Sequence, residues 1–220
     1  MSILFVLLTF LIIIAINYSF HTPDHVQDRA QLPSRQPATA AALESGFAIP
    51  QDYSFHPGHT WVFKEDRDGA RVGVDKFAAD LIGKIDRIEI AEPGRWVRQG
   101  QRLMTLHSGE VAIDIFSPVE GVVLEVNSDV IKDPMLTVAD PYKNGWIAKL
   151  RSPDLLTNEK NLFKGPMVAP WMRYSANSLK SALASANPAL AQDGGVPVSQ
   201  VLLQVEPELR RKLIKEFFLN

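Results

Sequence analysis

Residues 55–150 are broken at short intervals by glycine, proline or aspartate, and the pieces between are rich in β-branched and aromatic side chains. Breaks at that density leave no room for long helices and favour a sheet protein of short strands. HTWVFKE and GARVGVDKF read as two strands joined through DRDG (residues 66–69), which offers the polar and glycine positions a tight hairpin needs. DKFAADLIG then spaces Phe77, Leu81 and Ile82 as a helix and stops on Gly83. KIDRIEI, GQRLMTLHS, VAIDIFSP, GVVLEVN and GWIAKLR follow as further strands. A faint repeat lays Gly83, Ile85, Ile88, Val97, Leu103 and Thr105 over Gly121, Val123, Val126, Val130, Leu136 and Val138. Two similar β-units pivoting near residues 108–111 predict a small sandwich with approximate two-fold symmetry.

Charge and composition narrow the chemistry. A net charge of −2, with no arginine stripe interleaved with aromatics, argues against nucleic acid as a partner. The absence of cysteine removes disulfides, thiolate metal sites and a cysteine nucleophile together. His21 and His25 are four apart, but Pro23 between them opposes the shared helix a metal would need, so no metal site is expected. No phosphate-cradling glycine loop and no H-E-x-x-H is present, and no catalytic constellation stands out.

The two ends differ from the middle. Residues 1–20 carry no charged side chain, and the roughly 18 residues 3–20 just span a hydrocarbon layer about 30 Å thick at about 1.5 Å per residue. A single transmembrane anchor contacting membrane lipid is the first reading. A cleavable signal peptide competes with it, but a positive n-region and an Ala-x-Ala-like site are missing. Arg29 and Arg35 follow the segment and no basic residue precedes it, which leans toward a cytoplasmic body. Residues 21–46 read as a tether, 156–186 as a helical extension broken at Gly165 and Pro166, and 187–200 as a linker. In the extension, Trp171, Tyr174, Leu179 and Leu183 fall along one face, and Trp171 and Met172 are expected to pack on the sandwich. Residues 201–220 form an amphipathic helix with Leu209, Leu213, Ile214, Phe217 and Phe218 opposite Arg210, Arg211, Lys212 and Lys215. That helix fits anionic lipid, a partner's groove or its own domain equally.

Separated motifs in the middle of the chain carry a family resemblance. His59 and Trp61 of H-x-W-V, Gly73 and Val74, Leu81 to Gly83, Pro93 and Gly94, Pro118, Gly121, Asn127, Asp140 to Tyr142, and Gly145 with Trp146 occur in the order and spacing of the glycine cleavage system H protein. The chain resembles that family over about residues 55–155, within a domain bounded at 47–155. The resemblance implies a mainly β fold with flanking helices, a barrel-sandwich hybrid of the lipoyl and biotinyl type, here following an N-terminal transmembrane helix. It also implies a non-enzymatic carrier, in which a lysine at a hairpin tip holds lipoate and shuttles an aminomethyl intermediate.

The family pattern at that tip resembles E-S-V-K-A-A-S-D, and the residues aligned with it here are 107–114, HSGEVAID. Glu110 therefore occupies the lysine position, with His107, Ser108 and Gly109 beside it, and His107 replaces the acidic residue of the pattern. A carboxylate cannot supply the amine that a lipoyl amide requires, so no cofactor is expected. Lys84 and Lys132 belong to the flanking units rather than to the hairpin. The reading that follows is a membrane-anchored, single-pass, H-like binding or scaffold module whose protein partner is not named by the sequence. A working lipoyl carrier and a membrane-fusion-type export adaptor are the alternatives. The adaptor reading is opposed by the absence of a long helical insertion at the hairpin.

Overall fold

The computed structural model describes residues 41–44, 46–186 and 200–219, with side chains from residue 46 onward. The first strands are β1 (Ala41–Glu44), β2 (Phe47–Pro50), β3 (Tyr53–Phe55), β4 (Thr60–Lys64) and β5 (Gly69–Val74), followed by helix α1 (Lys76–Ile82). Next come β6 (Arg87–Ile90), β7 (Trp96–Val97), β8 (Arg102–Ser108), β9 (Val111–Phe116) and β10 (Gly121–Val126). Helices α2 (Ser128–Lys132) and α3 (Leu136–Ala139) precede β11 (Ala148–Arg151). The chain closes through α4 (Leu155–Asn158), α5 (Val168–Ala186), α6 (Val201–Gln204) and α7 (Pro207–Phe218). Two antiparallel sheets form the body, one of six strands in the order β3-β4-β5-β11-β10-β7 and one of three in the order β6-β8-β9.

The expected strands, the turn at residues 66–69 and helix α1 are all present. Asp66 accepts hydrogen bonds from the N–H groups of Asp68 (3.1 Å) and Gly69 (2.6 Å), which closes the β4–β5 turn. Helix α1 starts where the Asp75 carboxylate accepts from Ala78 N–H at 2.8 Å. Asp75 also accepts from His59 Nδ1 at 2.7 Å, both side chains being buried. The His59 ring lies between Phe77 (4.3 Å) and Trp171 (4.7 Å), so this polar pair links the turn before β4, α1 and α5 inside an apolar shell. Trp61 is fully buried and donates from Nε1 to Val74 O at 2.8 Å. Burial of each such ring contributes about 1.5–3 kcal/mol. Asn127 caps α2 and donates to the carbonyls of Asn144 (3.0 Å) and Trp146 (2.7 Å), fixing the loop that leads to β11.

Several expectations change. Residues 41–44 fall inside the expected tether but form β1, paired with β2, because Phe47 and Ile49 of β2 are buried in the core and β1 completes their hairpin. The repeat fails in its second copy: Val130 lies in α2 and Leu136 and Val138 in α3, so two short helices stand where the first copy has strands. On α5 the buried face is Val168, Met172, Ser175, Leu179 and Leu183, while Tyr174 is 71% exposed, because it falls off the stripe that the helix turns inward. Trp171 and Met172 do pack on the sandwich. Of the three readings of the terminal helix, its own domain receives it: Leu213, Phe217 and Phe218 of α7 are buried, and Phe217 meets Phe77 edge-on at 5.0 Å. The expected transmembrane segment, His21 and His25, and residues 187–199 of the linker lie outside the described residues. Among the described residues no helix is long and apolar enough to cross a membrane.

Candidate functional site: the β8–β9 hairpin tip

Strands β8 and β9 are joined by two residues, Gly109 and Glu110, with Ser108 opposite Val111. Gly109 has φ +59° while Glu110 stays at negative φ. That combination suits a two-residue hairpin with glycine in its first central position, whose twist matches the strands. Glu110 is exposed and makes no hydrogen bond or ion pair among the described residues. The tip projects a solvated carboxylate.

The tip is braced from one side. Asp86, just before β6, accepts from Gly109 N–H at 2.7 Å through one oxygen and pairs with Lys84 Nζ at 2.7 Å through the other. Its own N–H donates to His107 O at 2.8 Å. The Lys84 ammonium and then the Gly109 N–H hold the Asp86 carboxyl below the usual aspartate range. Sequence position separates Lys84 from the hairpin by more than twenty residues, yet the register of β6 against β8 brings it beside the tip. Neither Asp86 nor Lys84 carries a sequence signal for this; only the strand pairing reveals it. Lys132, in α2, has no such link.

The other tip residues separate. Ser108 is the last residue of β8, 1% exposed, with a hydroxyl that has no hydrogen-bond partner among the described residues, so it belongs to the core edge rather than to the exposed turn. His107 faces outward between Arg87 and Ala112. Its Nε2 lies 3.3 Å from Arg87 Nη2 and 3.4 Å from Glu89 Oε1. Arg87 in turn pairs with Glu89 and holds that carboxyl below the usual glutamate range. His107 is thus engaged with its neighbours on β6 and not with Glu110. No group of three potential metal ligands occurs among the described residues.

Two packed antiparallel sheets with a short exposed hairpin define a sandwich of the lipoyl type. The family model described as Glycine cleavage H-protein matches residues 53–172, and the chain belongs to that family. Glycine cleavage system H proteins from Thermus thermophilus and Bifidobacterium longum are similar to it. The first is 36% identical over 107 residues, covering 49% of this chain and 83% of the relative. The second is 34% identical over 116 residues, covering 51% and 84%. A crystal structure of a glycine cleavage system H protein from Mycobacterium marinum aligns with a TM-score of 0.44 at 27% identity, over 47% of this chain and 86% of that one. A chain that is not an enzyme fits this family.

Proposed function

We propose that the chain is an H-like module without a lipoyl arm, serving as a binding or scaffold domain. The observation that carries this reading is Glu110, a carboxylate at the hairpin tip without a partner among the described residues; the motif resemblance assigns it the position of the family's lipoyl lysine. An amide to lipoate forms only on an amine, and the two-residue turn contains none. The rest of the framework is kept: the His59–Asp75 pair, the Trp61 hydrogen bond and the Asn127 cap all stand in a packed core. Intact-mass analysis of the protein purified from its own cells should show no lipoyl addition. A lipoylated peptide anywhere in the domain overturns the reading.

The family's carrier role is the second reading, and Lys84 gives it a place. Joined to the tip through Asp86, that side chain is 58% exposed. Its ammonium is nevertheless engaged, and it sits on the segment entering β6 rather than on the turn. The same mass analysis decides, since carriage would appear as modification of a Lys84 peptide.

The charge-free residues 1–20 support attachment to a membrane by a single apolar segment, with the domain on the cytoplasmic side. The full chain should stay in the membrane fraction after alkaline washing and float with lipid on a density gradient. Release by the wash, as expected of a peripheral protein, contradicts the anchor.

A further inference from the structure

A second surface lies at the opposite end of the three-stranded sheet. Residue 102, where β8 begins, is six steps from Ser108, roughly 20 Å at about 3.4 Å per residue. The segment leading into it, residues 98–101, connects β7 to β8. Strand β7 is the last strand of the six-stranded sheet, so one of its edges is unpaired. Trp96 stands opposite Val122, and Val122 opposite Arg151, placing the three on one face, while Val97 points into the core. Trp96 is 47% exposed, an unusual position for the largest apolar side chain.

Next to the indole is an open hollow of about 580 Å³ lined by Trp96, Arg98, Gln99, Gly100 and Gln101. Its wall is held in place from several sides. Gln99 donates to the carbonyls of Pro118 and Asn158, both at 2.9 Å, and accepts from Asn161 at 2.8 Å. Gly100 N–H donates to Ser117 O at 2.9 Å, and Gln101 accepts from Arg98 N–H at 3.0 Å. The guanidinium groups of Arg95 and Arg98 have no hydrogen bond or ion pair among the described residues. By contrast, Arg71, Arg87 and Arg102 are matched by Glu65, Glu89 and Asp114. Two unmatched cations flank an exposed indole on a braced rim.

We infer that this rim, Trp96 and Arg98 lining the hollow beside β7 and Arg95 next to Trp96 in the chain, docks an acidic, apolar-containing segment of a partner protein. The inference rests on the scaffold reading and adds the place and the partner's chemistry. Arginine forks match carboxylates in pairs, and tryptophan with arginine makes the contact set that dominates interface energies. The unpaired edge of β7 suits an extended segment. A long polyanion fits less well, because two cations are few and the whole chain carries a net charge of −2.

The test replaces Trp96 by a photoreactive benzoylphenylalanine, which keeps an aromatic platform, in the full chain expressed in its host. Illumination should join it to a protein segment of net negative charge that contains apolar residues. The yield should fall at least about tenfold when Arg95→Glu and Arg98→Glu are added, as expected for a charge-steered contact. Both arginines are exposed, and an unchanged thermal transition shows that the doubly substituted chain is folded. No adduct, an adduct to lipid or nucleic acid, a neutral or basic segment, or indifference to charge reversal overturns the inference. Intact mass reports on the tip independently: an unlipoylated chain without the adduct sinks the docking surface alone, and a lipoylated chain with it sinks the armless reading alone.

Discussion

Lysine and glutamate differ at a hairpin tip in the one property that acyl attachment requires, a nucleophilic nitrogen. Glu110 is exposed and unpaired, so its carboxylate is not needed to hold the turn; that work falls to Gly109 and Asp86. Elsewhere a single side chain ties stability to pH. Burial, and then the neighbouring His59, lowers His56 from 6.5 to about 4, and its Nδ1 accepts from Gly58 N–H at 3.1 Å. Above pH 6.5 both folded and unfolded chains hold His56 neutral, and the stabilisation is complete. Between 6.5 and 4 the unfolded chain takes up a proton that the folded chain refuses, so stability falls as the pH is lowered. At about 1.4 kcal/mol per tenfold, this group accounts for at most about 3.5 kcal/mol. Urea unfolding at about pH 7 and about pH 4.5 should show a smaller loss for His56→Gln than for the natural chain. Equal losses contradict the assignment.

Helix α1 shows how the elements interlock. Gly83 closes it at φ +75°, and a Cβ there would approach Gln200 N and Cα to 2.5 Å. Gln200 N–H donates to Asp80 O at 2.9 Å, which seats α6 on the end of α1. Gly83→Ala should therefore cost about 1–3 kcal/mol, combining backbone strain and overpacking. It should also speed hydrogen exchange in α6 and α7 more than in β8. Unchanged exchange in α6 contradicts this account of the seat. The glycine was legible as a helix stop, but its contact with Gln200 was not, since nothing in the local pattern couples residues so far apart in sequence. The amphipathic stripe of α7 was legible too, whereas its destination was not, because an apolar face looks the same whether lipid, a partner or its own core covers it. Strand β1 escaped notice because AALE favours a helix in isolation and becomes strand only against β2. The repeat misled because Val130, Leu136 and Val138 supply apolar side chains to the fold from short helices rather than from strands.

At the scale of the whole molecule, one continuous core contains the family-matched region and its flanks. Phe47, Leu179, Val201 and Phe218 lie outside residues 53–172 and share that core with Trp61 and Leu106. The sandwich was readable from motifs alone because turn residues, caps and buried aromatics leave local signatures. The Asp86 brace and the unmatched arginines beside Trp96 were not, because they depend on which strands become neighbours. The central claim is a fold retained without its arm. Its most direct test compares intact masses of the natural chain and Glu110→Lys after both are exposed to lipoate-attaching enzymes in the same cells. The account predicts no lipoyl group on the natural chain and one on Glu110→Lys, at residue 110. A lipoyl group on the natural chain, on Lys84 or any other lysine, contradicts it.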